Sequence, residues 1–460
     1  MKIAIVGVLL ASAVAAAQSN PAEQRARDIL KELVEINTTA SVGDTTKAAD
    51  AVARRLHAAG FSAADLHVLG PSPRKGNLVA RFRGVSSQRP VLLLAHLDVV
   101  EARREDWSFD PFTLLEKDGF FYGRGTSDDK GMASQLVANF IRLKEERFRP
   151  DRDLILALTA DEESGNANGV RWLLENHRDL VDAGFAINEG GGGVVKNGKY
   201  LVNEIQAAEK VYQDLRLEVT SAGGHSSLPV KDNAIVRLAA GLERLGAFEF
   251  PIHLNDITRN YFERFASVQP DPAIAADMRA VAGHEPDPQA AARLAAASPY
   301  FNAMMRTTCV PTRLEGGHAN NALPQIAAAT VNCRIVPGEG SDSTRQQIID
   351  VVADPAIVVS LVDRANMSES ATLLPEVMNA VESLTRAMFP GVLVVPVMST
   401  GATDGLFLRN AGIPTFGIDG TFSDIDDVRA HGQDERVGVK QYFEGLEFQY
   451  RLIKALASEG

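Results

Sequence analysis

Short apolar runs with no polar interruption mark the first half of this chain: Val91-Leu92-Leu93-Leu94-Ala95, Leu154-Ile155-Leu156-Ala157-Leu158-Thr159-Ala160 and Phe185-Ala186-Ile187-Asn188. Unbroken apolarity over such lengths predicts strands buried on both faces, as in a sheet covered by helices. Between the first two runs, the glycine-punctuated turn Tyr122 to Gly131 leads into a helical pattern from Met132 to Lys144. Further along, the periodicity changes. Val211 to Thr220 alternates like a half-buried strand and Asn233 to Leu245 reads as an amphipathic helix. Strand patterns at Met305 to Leu314 and Ile326 to Val336, a helix at Thr344 to Val352 and a strand at Ile357 to Val362 complete the order β-α-β-β-α-β. That order is the ferredoxin-like pattern. Within it, Leu254 to Thr308 is longer than a simple connection and carries Pro270, Pro272, Pro286, Pro288 and Pro299. Two Ala-rich helical patterns lie there, Pro272 to Val281 and Gln289 to Ala297. Loops of this length carry structure or a role; this one is expected to shape a site entrance, extend a dimer surface or pack against the smaller unit.

Each early apolar run ends on residues that can bind metal or move protons. His96-Leu97-Asp98, Asp161-Glu162-Glu163 and Glu189 stand at predicted carboxyl ends of strands, where sites in open α/β sheets form. Residues two apart on a strand share a face, so Asp98 is expected to accept a hydrogen bond from the His96 nitrogen that does not touch metal. Asp128 lies where the glycine-rich turn meets its helix, and those glycines permit close backbone approach to an ion. Capping and the helix dipole account for Asp129 but not for the whole decapeptide. The neighbouring Glu162 and Glu163 repel each other unless a cation lies between them or one holds a proton. This assigns Glu163 to metal and Glu162 to general acid and base work. His431, in Ala430-His431-Gly432-Gln433-Asp434-Glu435-Arg436, adds another ligand near the end of the chain. Imidazole and carboxylate ligands suit zinc, and paired zincs can share a carboxylate.

These motifs, with Gly223-Gly224-His225-Ser226-Ser227 and Asn321-Ala322-Leu323-Pro324, resemble those of the zinc metallopeptidases that include glutamate carboxypeptidase, carnosinase, aminoacylase and succinyl-diaminopimelate desuccinylase. The resemblance implies an α/β fold, with a dizinc exopeptidase-like catalytic domain on a mixed central sheet and an inserted ferredoxin-like α+β lid that dimerises. It places the catalytic domain at 18–206 and 367–460 and the lid at 207–366, with the insertion at 254–308. It also implies two zinc ions, for which cobalt or manganese can substitute. Asp128 would bridge them, His96 and Glu189 would serve one, Glu163 and His431 the other, and Glu162 would be the base. His225 resembles the histidine that reaches a partner subunit's site and stabilises an oxyanion. Arg334 matches an arginine that clamps a substrate carboxylate, and Asn321, Gly401 and Thr403 match positions that hold the same end. The implied reaction is hydrolysis of an amide in a dipeptide, a C-terminal peptide residue or an N-acyl amino acid with a free carboxylate. A dizinc aminopeptidase is the nearest rival, but it gives no reason for the Gly-Gly-His-Ser-Ser motif. A metal-dependent binding protein without turnover gives none for Glu162.

Composition narrows the remaining choices. With 460 residues and 45% hydrophobic content, the chain can build about two to three domains with large cores. A net charge of -12, from 47 basic and 59 acidic residues, argues against general nucleic-acid binding, which needs clustered positive charge. Lys2, the apolar segment Ile3 to Ala13 and the small residues Val14-Ala15-Ala16-Ala17 before Gln18 read as a signal peptide over 1–17, cleaved near Ala17. The apolar run is too short to span a membrane comfortably, so a periplasmic or secreted product without a stable membrane anchor is expected. The two cysteines, Cys309 and Cys333, fall in predicted neighbouring strands. Export permits a bridge between them, and the register that would decide it is not readable.

Overall fold

A computed structural model describes residues 20–163, 166–363 and 365–458; the expected signal peptide at 1–17 lies outside the described residues. The three apolar runs form the adjacent strands Val91–His96, Leu154–Thr159 and Phe185–Asn188, buried along their whole lengths. Val91–His96 sits between the other two and is parallel to both. Its register sets His96 opposite Thr159 and Leu93 opposite Ile187. That alignment brings the carboxyl ends of all three central strands, and hence His96, Glu162, Glu163 and Glu189, to one end of the sheet.

Among the described residues the large sheet has ten strands. Antiparallel pairings, such as Asn77–Phe82 with Leu154–Thr159, join parallel ones, such as Leu393–Ser399 with Lys199–Glu209, so the sheet is mixed. Helix Lys130–Glu145 packs on it and is buried on nearly every side. Its Gln135 and Asn139 side chains donate to Tyr442 and Leu446 carbonyls of the C-terminal helix Val439–Ala457. These two side-chain amide donations tie the helices together across a buried interface and fix their alignment.

The second sheet has the order Thr308–Gly316, Ile326–Ile335, Val211–Thr220 and Ile357–Leu361, all antiparallel. Helices Ala234–Ala247 and Ser341–Val352 cover it, giving the predicted β-α-β-β-α-β sequence. The alternation of the first strand is the cause: Val211, Leu215, Leu217 and Val219 point into a core separate from that of the large sheet. Asn233 caps its helix by accepting from Ile235 and Val236 amides. In the register of this sheet Cys309 faces Cys333, and the two form a disulfide.

Two expectations need correction. The strand expected from Met305 begins at Thr308, because Pro299–Met305 is a helix started by Pro299 and capped by Ser298. Its Met304 and Met305 are buried in the large core. The stretch at 254–308 packs on the core of the large sheet and not against the smaller unit, and both of its expected helices are present. It folds as helices Asp256–Phe265, Pro272–Ala282, Pro288–Ala297 and Pro299–Met305, whose Ile257, Phe262, Met278 and Leu294 join the core of the large sheet. Arg264 anchors the first of them by donating to the Val394 carbonyl of strand Leu393–Ser399.

Candidate metal centre

Asp128 stands between two imidazoles. One carboxylate oxygen lies 3.0 Å from His96 Nε2 and the other 3.0 Å from His431 Nε2. Glu163 Oε1 is 3.0 Å from the same His431 nitrogen, and Glu189 Oε2 is 3.7 Å from His96 Nε2. His96, Asp128 and Glu189 form one group whose potential ligand atoms lie within 4.8 Å of one another; Asp128, Glu163 and His431 form another. Asp128 belongs to both. A further combination, His96 with Glu162 and Glu163, meets the same distance.

The supports of these side chains are largely buried. Glu435, fully buried, accepts backbone amides of Gly125, Ser127 and Asp128 and pairs with Arg124 at 2.6 Å. It therefore clamps the turn that presents Asp128, and it does so from the segment that carries His431. Gly125 is required in that turn: its φ is +90°, and an added Cβ would come within 2.8 Å of the Lys130 side chain. The peptide between Asp128 and Asp129 is cis. Asp98 acts differently from expectation. The His96 Nδ1 contact at 2.9 Å is the Asp98 backbone carbonyl, whereas the Asp98 carboxylate lies 3.6 Å away. That carboxylate instead accepts the Glu162 and Glu163 amides, each at 3.1 Å. One residue thus orients both the imidazole and the acidic turn.

Electrostatically the cluster holds more carboxylates than cations. Burial opposes charge on His96, yet Glu189, Asp128 and Asp98 around it hold its pKa well above the usual value. Hydrogen bonds to Asp128 and Glu163 push His431 up to about 10. Asp128, despite burial, is held well below the carboxylate range by His431 and His96. Burial and then Glu189 push the Glu162 carboxyl well up, and burial raises Glu189. Two imidazoles facing a surplus of mutually repelling carboxylates are a donor set suited to divalent cations.

The remaining predicted residues fall into two groups. Thr403 lies beside the centre: its hydroxyl accepts from Asn188, next to Glu189, and donates to Glu209 at 2.8 Å. The Gly401 amide donates to Ser399 in the same loop. His225 and Asn321 are exposed and near each other, since His225 pairs with Ala322 across a small two-stranded sheet. The His225 Nδ1 contacts Ser227 Oγ at 2.7 Å. Arg334 lies over the Tyr212 ring, 4.7 Å from its centroid. Among the described residues no hydrogen bond or ion pair joins His225, Asn321 or Arg334 to the ligand cluster. Sequence reasoning missed Glu435 as a support, although it lies within the quoted His431 motif. It also missed Asp404, which accepts from Asn168 and Thr159 and is pushed up to about 7 by burial. Adjacency to Thr403 was the available signal. Beside Asp128 and Glu189 opens a cavity of about 250 Å³, lined also by Met132, Asp419 and Val428.

Residues 92–455 match the model of peptidase family M20/M25/M40. The N-fatty-acyl-amino acid synthase/hydrolase PM20D1 of Homo sapiens is 32% identical over 381 residues, 80% of this chain and 74% of that protein. Probable carboxypeptidase S-like 2 of Dictyostelium discoideum is 29% identical over 391 residues, covering 82% and 74% respectively. In fold, the chain is similar to the metallo-carboxypeptidase Sso-CP2 from Sulfolobus solfataricus, with a TM-score of 0.71 at 17% identity over 94% of this chain and 99% of that one. With the family model spanning most of its length, the chain belongs to peptidase family M20/M25/M40 and is a metal-dependent hydrolase.

Proposed function

We propose that this enzyme hydrolyses the amide bond of a dipeptide, a C-terminal peptide residue or an N-acyl amino acid whose carboxylate is free. The observation that carries the reading is Asp128, whose two oxygens face two different imidazoles. His96 and Glu189 would hold one zinc, Glu163 and His431 the other, with Asp128 between them. Bound zinc lowers the pKa of water and polarises a carbonyl. Glu162 takes the proton of the attacking water and returns it to the leaving amine. The Asp98 bonds to the Glu162 and Glu163 amides hold the turn that carries it. Thr403, Gly401, Asn321 and Arg334 bind the substrate carboxylate, and His225 donates to the oxyanion.

The relatives support the substrate class by what their names say: one acts on N-fatty-acyl-amino acids and another is Aminoacylase-1B of Rattus norvegicus. His225 would reach the reaction through lid closure and a second subunit. Strand Thr308–Gly316 is the exposed edge of its sheet and presents Val310 and Leu314, beside a helix that exposes Ile235 and Val236. Such an edge is suited to pairing with a second copy. Export to the periplasm or medium is part of the same proposal, supported by the Cys309–Cys333 bridge, since disulfides persist in oxidising compartments.

The test is a panel of dipeptides, N-acyl amino acids and their amidated counterparts, incubated with zinc-loaded protein and analysed by mass. Cleavage of free-carboxylate substrates, N-blocked ones included, is the expected result. Cleavage restricted to substrates with a free amine would instead identify an aminopeptidase, and stoichiometric binding without product a binding protein.

A further inference from the structure

The chain passes between the two sheets twice. It leaves the large sheet where strand Lys199–Glu209 continues through Lys210 into Val211–Thr220, and it returns through a segment carrying Val362, Asp363, Ala365 and Ser368. At the first passage stands a buried ion pair that the metal centre does not use. Glu209 and Arg409 are 2% and 5% exposed and meet at 2.6 Å.

The other contacts of this pair run to the Thr403 loop, to the return passage and to Gln206 Nε2, which donates to Glu209 at 3.2 Å. The second Glu209 oxygen accepts the Thr403 amide at 3.1 Å and the Thr403 hydroxyl at 2.8 Å. Arg409 Nε donates to Ser368 Oγ on the return passage at 3.0 Å. The Lys210 amide donates to the carbonyl of Ser399, the residue from which the Thr403 loop departs. The two passages are also tied to each other: Gln213 accepts the Ala365 amide and donates to the Val362 and Asp363 carbonyls. Against them lies a cavity of about 480 Å³, lined by Glu209, Lys210, Gln213, Ala365, Ser368 and Ala402. Open space therefore reaches the joint itself, since Glu209 and its neighbour Ser368 line the cavity.

We propose that Glu209 and Arg409 are positioning residues that lock the Thr403 loop to both passages, so that the loop takes its substrate-binding form only in step with the placement of the small sheet. The inference rests on Thr403 binding the substrate carboxylate. Breaking the joint loosens the loop without touching the metal ligands or Glu162. The loss falls on binding of the carboxylate, and chemistry on substrate that has bound is preserved.

The test compares Thr403→Val, Glu209→Gln and Ser368→Ala, each zinc-loaded, on an acid substrate and its amidated counterpart. Glu209→Gln should raise KM for the acid about tenfold, the effect of one hydrogen bond in a charged network. Its kcat and the KM for the amide should stay near wild type. Ser368→Ala, a small change remote from substrate, should shift the acid KM the same way by about threefold at unchanged Tm, and it decides the matter should Glu209→Gln fold poorly. If Thr403→Val leaves the acid KM unchanged, the carboxylate-binding role of Thr403 falls, and this inference with it. If Thr403→Val raises it while Glu209→Gln and Ser368→Ala leave the acid-to-amide KM ratio at the wild-type value, the positioning role alone is overturned.

Discussion

At the carboxyl ends of the central strands of the large sheet, His96, Asp128, Glu163, Glu189 and His431 already stand in contact with one another, on loops clamped by Glu435 and Asp98. On the smaller unit, the exposed His225 ring contacts its near neighbour Ser227 and Arg334 rests on Tyr212. The contrast follows from what each set must do. Repelling carboxylates can be held together only by a rigid and largely buried frame, whose stability comes from the ten-stranded sheet behind it. On the proposed reading, His225 and Arg334 must admit a substrate before gripping it, and they sit on a unit with its own core, joined by two passages, whereas Thr403 and Gly401 lie beside the centre. On that reading, preassembly belongs to the proposed metal ligands and delivery to His225 and Arg334.

The strongest way to break this division is Glu162→Gln. A preassembled centre should keep its metal and its Tm while kcat falls by about 10²–10⁴; near-normal kcat at full metal occupancy would remove Glu162 from the proposed role. Next in size is His225→Ala, expected to lower kcat by about 10²–10³ with Tm unchanged, because the side chain is exposed. Mixing that variant with Glu162→Gln sharpens the comparison further. If His225 is delivered by the partner subunit, mixed dimers regain activity through one complete site; verified subunit exchange without recovery would place its action within one chain.

The smallest effect concerns the passage itself. Burial lowers the Lys210 ammonium to about 7 from its ordinary 10.5. Between those values the unfolded chain holds a proton that the folded protein has shed, so stability rises with pH across this window, by up to about 1.4 kcal/mol per pH unit. Denaturant unfolding from pH 7 to 10 should show Lys210→Met lacking that part of the rise. Parallel curves for the two proteins would mean that Lys210 keeps its charge in the fold.

Much of the large sheet was legible because a strand buried on both faces has to be written as an unbroken apolar run, and because chemistry at strand ends follows directly in sequence. The small sheet was legible through the alternation of Val211 to Thr220 and the cap at Asn233. Where reading failed, the deciding contact was distant. Met304 and Met305 look like the start of a strand until the core they enter is known. Helix Asp256–Phe265 faces a surface supplied by Leu393–Ser399, and the three helices after it stack on it and on one another, which no local pattern names. Asp98 was placed near His96 by strand geometry, but the bonds of its carboxylate to Glu162 and Glu163 depend on a turn far along the chain. Glu209 and Arg409 carry no local signal, because a buried ion pair is written in sequence as two ordinary charges.

The central claim is that Asp128 is shared between two metal sites. Elemental analysis of purified, zinc-equilibrated protein tests it most directly, by comparing wild type with Asp128→Ala at matched folding by circular dichroism. The account predicts two zincs per chain in wild type and loss at both sites in the variant. Two zincs retained by Asp128→Ala would contradict it.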